Sequence, residues 1–408
     1  MIRLRVILLA RTRSVETAMN YLDYDLRLLE SLRRVYGESI ESFLESVKSP
    51  GRRLYVRVNT MRIDSGRLVD RLRSRGIEVS RDEELAEAIY FRVEGPFNIS
   101  SRDKVVVAVK EAAESVALGA NLYAPGVLKC YHNVRKGDEV TVVTKTGIPV
   151  AEGVVVRECH EAISSGHGLV VEIFKPLYRA VRVRELPEFD EGLIYPQSLP
   201  AMYVARQLGL KSGGVVVDLC ASPGGKTGHA VELSRGGVLV VAFDRSKSKV
   251  DRMRKELSRL GHLPYVQTWV ADSRYVHVDF PWLRADEVVV DPPCSTLGVR
   301  PKLEDRKKYE DILTLKKYQL QFLKAASKIV KPGGAIVYST CTVTVEENEE
   351  VVEELLEEEK CLDVGEVHVE RASRGIYGQF KQAYTRFHPH IHDLPGYFIA
   401  KIVKKSSC

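Results

Sequence analysis

Hydrophobic and polar positions change their rhythm twice along the chain, which divides it into three stretches. In the first, apolar residues recur at helical spacing from about Tyr21 to Val47. A strand-like RLYVRVNT follows, then a short amphipathic helix around Gly66 to Ser74 and a strand at Gly76 to Val79. Residues 1–96 thus read as a small, arginine-rich α/β module. From Phe97 the texture turns to short β-branched runs cut by glycines: VVVAV, the turn APG, then KGDEVTVVTKTGIPVAEGVVV. Alternation with closely spaced turn signals predicts a small, mostly β barrel over 97–184. Residues 185–408 alternate strand with helix, which predicts an α/β unit with a parallel sheet covered on both faces. No internal repeat or low-complexity linker interrupts the series.

Composition describes an ordinary globular protein, 44% hydrophobic and 28% charged. The formal charge of +6 understates the basic character, because the run Glu346 to Glu359 holds nine Glu and no Lys or Arg. The rest of the chain is therefore strongly basic. That suits a polyanionic partner, or simply a solvated basic surface. The acidic run itself reads as a helix with Val351, Val352, Leu355 and Leu356 on one face and glutamates on the other; no function attaches to it. Seven cysteines (Cys130, Cys159, Cys220, Cys294, Cys341, Cys361 and Cys408) form no CxxC pair and are odd in number. This argues against a disulfide framework or a zinc site and for a reducing, cytoplasmic setting. The N-terminal VILLA (6 to 10) is too short for a signal-peptide core and runs into Arg11 and Arg13. No apolar run reaches membrane-spanning length, so no membrane association is expected.

The chemistry concentrates in the last stretch. GVVVDLC, LVVAFD, TWVAD and EVVVD bring four successive strand candidates to a carboxylate: Asp218, Asp244, Asp272 and Asp291. One such Asp is readily explained as a helix cap; four in order point to a ligand at the carboxyl rim of the sheet. After the first strand, Cys220, Ala221, Ser222, Pro223, Gly224, Gly225 and Lys226 form a loop whose backbone can pass close to a ligand before a helix begins. Asp244, with Arg245 beside it, is placed to take the ribose hydroxyls of a nucleoside. GGKT invites a phosphate-loop reading, but the first glycine of that signature is replaced by Cys220, and G-x-G-x-x-G is absent. S-adenosylmethionine, a nucleoside without phosphate, fits the four acids better.

Cys294 in VVVDPPCS and Cys341 in AIVYSTCT each stand just past an apolar strand-like run. If those strands are parallel neighbours, both thiols reach the same rim. Two thiols there suit methyl transfer to carbon 5 of a pyrimidine. That carbon is a poor nucleophile until a thiolate adds to carbon 6, after which methylation and loss of the carbon 5 proton release the enzyme by elimination. A thiol is only a few per cent ionised near pH 7, and about 2 kcal/mol of differential stabilisation would make it half thiolate. Lys226 and a helix N-terminus are candidates to supply that much. Asp291 at the N3/N4 edge of the base would stabilise charge developing on the ring.

DLCASPGGKT, AFDRS, ADS, DPPCSTLG, KPGGAIVYSTCTVTVEENE and PGYFIAKIV resemble the motif series of the Fmu/Sun family of RNA cytosine-5 methyltransferases, and YPQSLPAM and RVNT resemble its upstream elements. The resemblance implies a Rossmann-like class I methyltransferase sheet, S-adenosyl-L-methionine as cofactor, Cys341 of the TCT motif as nucleophile, and Cys294 of DPPC as the group that assists breakdown of the adduct. Ser222 departs from the family's common Ala. GANLYAPGVL and KGDEVTVVT in the middle stretch resemble a PUA domain, an RNA-binding barrel. The combination is similar to the tRNA-acting branch of the family, which modifies an acceptor-stem cytosine next to the CCA end, near position 72. It implies that Tyr123, Pro125 and Gly126 face RNA, and a charge argument adds Lys175, Arg179 and Arg182 as phosphate contacts. Tyr123 has a second reading as a core aromatic. A monomer is expected. An rRNA cytosine-5 methyltransferase and a catalytically silent RNA-binding factor are the alternatives. His388, His390 and His392 in HPHIH could ligate metal from one side of a strand, but no cysteine or carboxylate cluster accompanies them and no metal is assigned. Trp269 and Trp282 read as packing residues.

Overall fold

The computed structural model describes residues 22–131 and 133–408, so VILLA and the start of the first helical stretch at Tyr21 lie outside the described residues. The largest sheet carries the expected parallel core. Val266–Val270, Leu239–Asp244, Val215–Asp218, Ala285–Val290 and Val330–Thr340 lie side by side, followed by the antiparallel Tyr397–Lys404, which Thr385–Phe387 and Leu362–Gly365 flank in turn. In the central strands valine recurs on both faces, and both are buried: Val216, Val240 and Val289 enter one core, and Val217, Val241 and Val288 the other. Strand order reverses on either side of Val215–Asp218, which opens a crevice at its carboxyl end.

The middle stretch forms a six-stranded sheet in which Val105–Ala108 and Glu139–Val143 run parallel and the other neighbours antiparallel. Its two ends are tied together, since Glu94 and Arg179 exchange backbone hydrogen bonds of 3.0 and 2.9 Å. Leu303 of the following stretch joins its core.

The first stretch is less self-contained than its pattern suggests. Arg53–Val58, Ala88–Arg92 and Ser80–Arg81 form a sheet with helix Ser65–Ser74 behind it, and its fourth strand, Ile194–Pro196, comes from beyond the barrel. The strand expected at Gly76 to Val79 is displaced to Ser80–Arg81, because Gly76 turns the chain with φ +77° and Ile77 N–H closes back on Leu72. The helical stretch is broken at Gly37, φ +53°, into Leu26–Tyr36 and Ile40–Lys48. These two helices pack against Leu297, Ile312 and Val343, so they brace the loops that follow Cys294 and Cys341.

Two disulfides correct the cysteine expectation. Cys130 pairs with Cys159 and Cys361 with Cys408, across 29 and 47 residues of chain. Local spacing could not reveal them, since strand Val127–Cys130 meets helix Cys159–Ser165 only when the barrel closes. Likewise Cys361 meets Cys408 because Leu362–Gly365 pairs with Tyr397–Lys404. The three free cysteines, Cys220, Cys294 and Cys341, all line one cavity. HPHIH is a helical turn, Pro389–His392, rather than a strand, and His388 and His392 stack on each other. Among the described residues no helix is long and apolar enough to cross a membrane.

Candidate active site

Each strand of the parallel core delivers one piece of the site. The loop after Val215–Asp218 turns into helix Gly225–Leu233 through Gly224, whose φ of +104° only glycine adopts freely; a Cβ there would also meet Met253 at 3.2 Å. Asp218 lies under the loop rather than in the larger cavity. It accepts from Thr227 Oγ1 at 2.7 Å and Cys220 N–H at 3.3 Å, and burial pushes its carboxyl up to about 6. Asp244 and Asp272 each cap the turn that follows, accepting from Ser246 N–H and Arg274 N–H, while both also line the cavity. Capping a turn and lining the cavity therefore coexist in these two acids.

The cavity, about 320 Å³, is lined by Cys220, Ser222, Asp244, Arg245, Asp272, Asp291, Cys294 and Cys341 among others. A smaller one of about 160 Å³ takes Ala221, Pro223, Gly225 and Lys226 with Asp218. A space with three carboxylates, close-approaching backbone and no phosphate cradle fits a cationic nucleoside such as S-adenosylmethionine.

Ala285–Val290 and Val330–Thr340 are parallel neighbours, so the turns beyond them bring the Cys294 and Cys341 sulfurs to 3.3 Å. The hydrogen bond to Cys341, burial and the Glu347 carboxylate push the Cys294 thiol well above its ordinary range. Two thiolates at this separation would repel strongly, so the pair does not carry two negative charges at once. Lys226 does not act as a free cation beside the sulfurs. It is bound to Asp291 at 2.5 Å; burial opposes its charge, but Asp291 and Tyr397 outweigh that and hold it well above the ordinary lysine value. Asp291 also accepts from Ser339 Oγ at 2.8 Å and Tyr397 OH at 3.3 Å. Ser339 and Tyr397 were not singled out from sequence, although both lie in quoted motifs, YSTC and PGYF.

The acidic run corrects a second expectation. Its helix, Glu349–Glu358, buries Val351, Val352 and Leu355, but Glu346, Glu347, Asn348 and Glu349 are buried too and each holds a different part of the fold. Glu346 accepts from Ser31 and Arg34 of the first bracing helix and from Tyr309, which opens helix Tyr309–Ile329. Glu347 reaches both cysteine loops. Asn348 ties Thr340 to the carbonyls of Thr342 and Thr344, and Glu349 pairs with Arg386.

In the barrel, Tyr123 is 51% exposed, not a core aromatic. With Pro125, Gly126 and Arg182 it lines a groove of about 790 Å³ that also touches Leu54 and Pro196 of the four-stranded sheet. The charge argument fares less well. Arg182 donates to the carbonyls of Gly119 and Ile173, Lys175 pairs with Glu152, and Arg179 lies over Phe97 beside Glu94. Lys175 and Arg179 lie outside the groove lining. Trp269 and Trp282 contact Phe280 edge-on but are 40% and 64% exposed.

Family models match the chain in three consecutive blocks: the RsmF/B-like ferredoxin-like domain over residues 27–99, the PUA domain over 104–177, and the 16S rRNA methyltransferase RsmB/F model over 205–403. The chain is 36% identical over 397 residues to the tRNA (cytosine(72)-C(5))-methyltransferase of Pyrococcus horikoshii, covering 95% of this chain and 99% of that one. It is 27% identical to the mouse tRNA (cytosine(72)-C(5))-methyltransferase NSUN6 over 88% of this chain and 84% of the mouse protein. The crystal structure of NSun6 from Pyrococcus horikoshii with SFG superposes with a TM-score of 0.85 at 37% identity, over 93% of this chain and 98% of the other. Shared across nearly its whole length, the sequence and architecture make the chain a member of the PUA-containing Sun-domain family of RNA methyltransferases.

Proposed function

We propose that this enzyme transfers a methyl group from S-adenosylmethionine to carbon 5 of a tRNA cytosine, at position 72 of the acceptor stem beside the CCA end, through a covalent adduct on Cys341. The observation that carries the reading is the thiol pair 3.3 Å apart at the rim of a cavity that fits the cofactor. When bound, the cofactor supplies an electrophilic methyl group. Cys341 Sγ adds to carbon 6, which gives carbon 5 enamine character. The Asp291–Lys226 pair meets the N3/N4 edge of the base, with Ser339 and Tyr397 holding the carboxylate in orientation. Cys294 keeps its proton while Cys341 attacks; after methyl transfer the carbon 5 proton leaves to solvent water, the carbon 6–sulfur bond breaks, and Cys294 assists this breakdown by donating its proton to the departing Cys341 sulfur. The barrel, residues 97–184, selects the RNA, with Tyr123, Pro125 and Gly126 presented in its groove. A base within a stem must be flipped out to reach the thiol, at a cost of a few kcal/mol. A tRNA substrate favours a cytoplasmic enzyme.

The family model named for 16S rRNA spans 205–403 and so speaks for the shared catalytic half, whereas the tRNA relatives match the barrel as well. The test is methyl transfer from tritiated S-adenosylmethionine to an unmodified tRNA transcript, followed by bisulfite mapping. Label at one acceptor-stem cytosine is expected; transfer to rRNA alone would keep the chemistry and overturn the substrate.

A further inference from the structure

The carboxylate of Glu347, 0% exposed, bonds to both cysteine loops at once. Its Oε1 accepts from Ser295 N–H at 2.8 Å and Gln319 Nε2 at 3.0 Å. Its Oε2 accepts from Ser295 Oγ at 2.5 Å and Thr344 Oγ1 at 3.1 Å, with Thr342 Oγ1 at 3.4 Å. Ser295 follows Cys294 and Thr342 follows Cys341, and their hydroxyls are themselves 2.6 Å apart. Gln319 also donates to the carbonyl of Pro293 at 3.0 Å, so the residues on both sides of Cys294 are held.

Two considerations separate this arrangement from ordinary core filling. An anion beside two thiols discourages thiolate formation, so the carboxylate is not there to activate sulfur, and a buried carboxylate costs several kcal/mol unless donors compensate it. Here the compensation comes from the loops that follow the two cysteines, through Ser295, Thr342 and Thr344, with Gln319 adding one bond. Thr296, two residues past Cys294, has φ +58°, a conformation that costs on the order of 1–3 kcal/mol in a side-chain-bearing residue and persists only where neighbours enforce it.

We propose that Glu347 is a positioning residue that sets the spacing and orientation of the Cys294 and Cys341 thiols by clamping the residue that follows each. The proposal rests on the thiol-pair reading of the reaction and adds the group that builds the pair.

Its most direct test does not need RNA. Phenylarsine oxide condenses with two adjacent thiols, forming two As–S bonds and releasing one water. Peptide mass mapping of the wild-type chain is expected to find one arsenical bridging Cys294 and Cys341. Glu347→Ala should weaken that uptake by on the order of tenfold or more, and Glu347→Gln, which keeps one carbonyl acceptor, should fall between. The affinity for S-adenosylmethionine should stay within about twofold in both. In methylation assays Glu347→Ala should lower kcat by on the order of 100-fold while KM for tRNA moves only a few-fold, the cost expected of an ångström-scale misplacement. Should Glu347→Ala fail to fold, Glu347→Gln and the double variant Ser295→Ala/Thr342→Val carry the same readouts. Wild-type arsenical uptake in the soluble variants overturns the proposal, as does cofactor affinity falling in parallel with uptake, which marks a merely structural role. A wild-type chain that binds the arsenical but methylates no cytosine would sink the functional reading and leave the arsenical comparison to decide the role of Glu347.

Discussion

Cys294 and Cys341 are chemically identical groups that their surroundings make unequal. Hydrogen bonding, burial and the Glu347 charge keep the proton on Cys294, and the proposed mechanism gives the attack to Cys341. Replacing Cys341 by Ala is therefore expected to abolish turnover while leaving cofactor affinity within a few-fold, measured by titration calorimetry. Cys294→Ala should instead accumulate a protein–RNA band on a denaturing gel, and rapid release in that variant would remove its role in elimination. Both thiols are legible in the sequence because each follows a β-branched run that has to be a buried strand. Glu347 is not legible. Along one dimension it is one glutamate among nine at helical spacing, and only in three dimensions does the helix begin two residues later, at Glu349, leaving Glu347 in the turn that faces the cysteine loops. For Lys226 a positive charge near a thiol is visible in sequence, but its ion-pair partner Asp291, just past the end of strand Ala285–Val290, is not.

The elements meet through contacts that tolerate little change. Gly298 N–H donates to the carbonyl of Cys341 at 3.1 Å, and Gly396 N–H donates back to Gly298. A Cβ on Gly298 would stand 2.3 Å from Gly396 O, a backbone atom that cannot rotate away. Gly298→Ala should therefore push the two cysteine turns apart, with kcat falling at least as far as thermal stability; an active, equally stable variant would contradict the close approach. Between the four-stranded sheet and helix Gly225–Leu233 lies a second coupling, a buried polar layer. Arg57 pairs with Glu232 and donates to Gly225 O, and His229 pairs with Glu87. Burial holds His229 down to about 4 and His262 to about 3. Both rings are neutral when folded but take up a proton below the ordinary histidine value of about 6.5 when unfolded. Their contribution to stability is thus complete above that value and lost as pH falls toward 4, at about 1.4 kcal/mol per pH unit for each ring. Melting temperature should drop from pH 7 to pH 5, and His229→Gln should flatten the slope; an unchanged slope would mean that the ring is not buried neutral. The sequence gives no sign of this layer, since its members come from strands and helices far apart in the chain.

At the scale of the molecule, the three rhythms in the sequence correspond to three sheets, but the borders between them are shared. A strand from beyond the barrel completes the first sheet, the N-terminal helices belong to the catalytic half, and Leu303 enters the barrel core. Hydrophobic periodicity reports which face of an element is buried, not which neighbour buries it, so these exchanges and both disulfides were out of its reach. The Glu94–Arg179 bridge closes the base of the barrel and makes its removal feasible. Replacing residues 97–178 by a short glycine linker should weaken tRNA binding far more than cofactor binding in filter-binding and calorimetric titrations. Equal losses would mean that the barrel is structural. The central claim is that Cys341 forms the covalent bond to a cytosine at tRNA position 72. It is tested most directly with a tRNA carrying 5-fluorocytidine there, since fluorine in place of the departing proton stalls elimination after methyl transfer. Mass mapping of the stalled complex should find the methylated nucleotide on the Cys341 peptide, in the wild type and in Cys294→Ala but not in Cys341→Ala; a nucleotide attached to Cys294, or no adduct in any of the three, would contradict it.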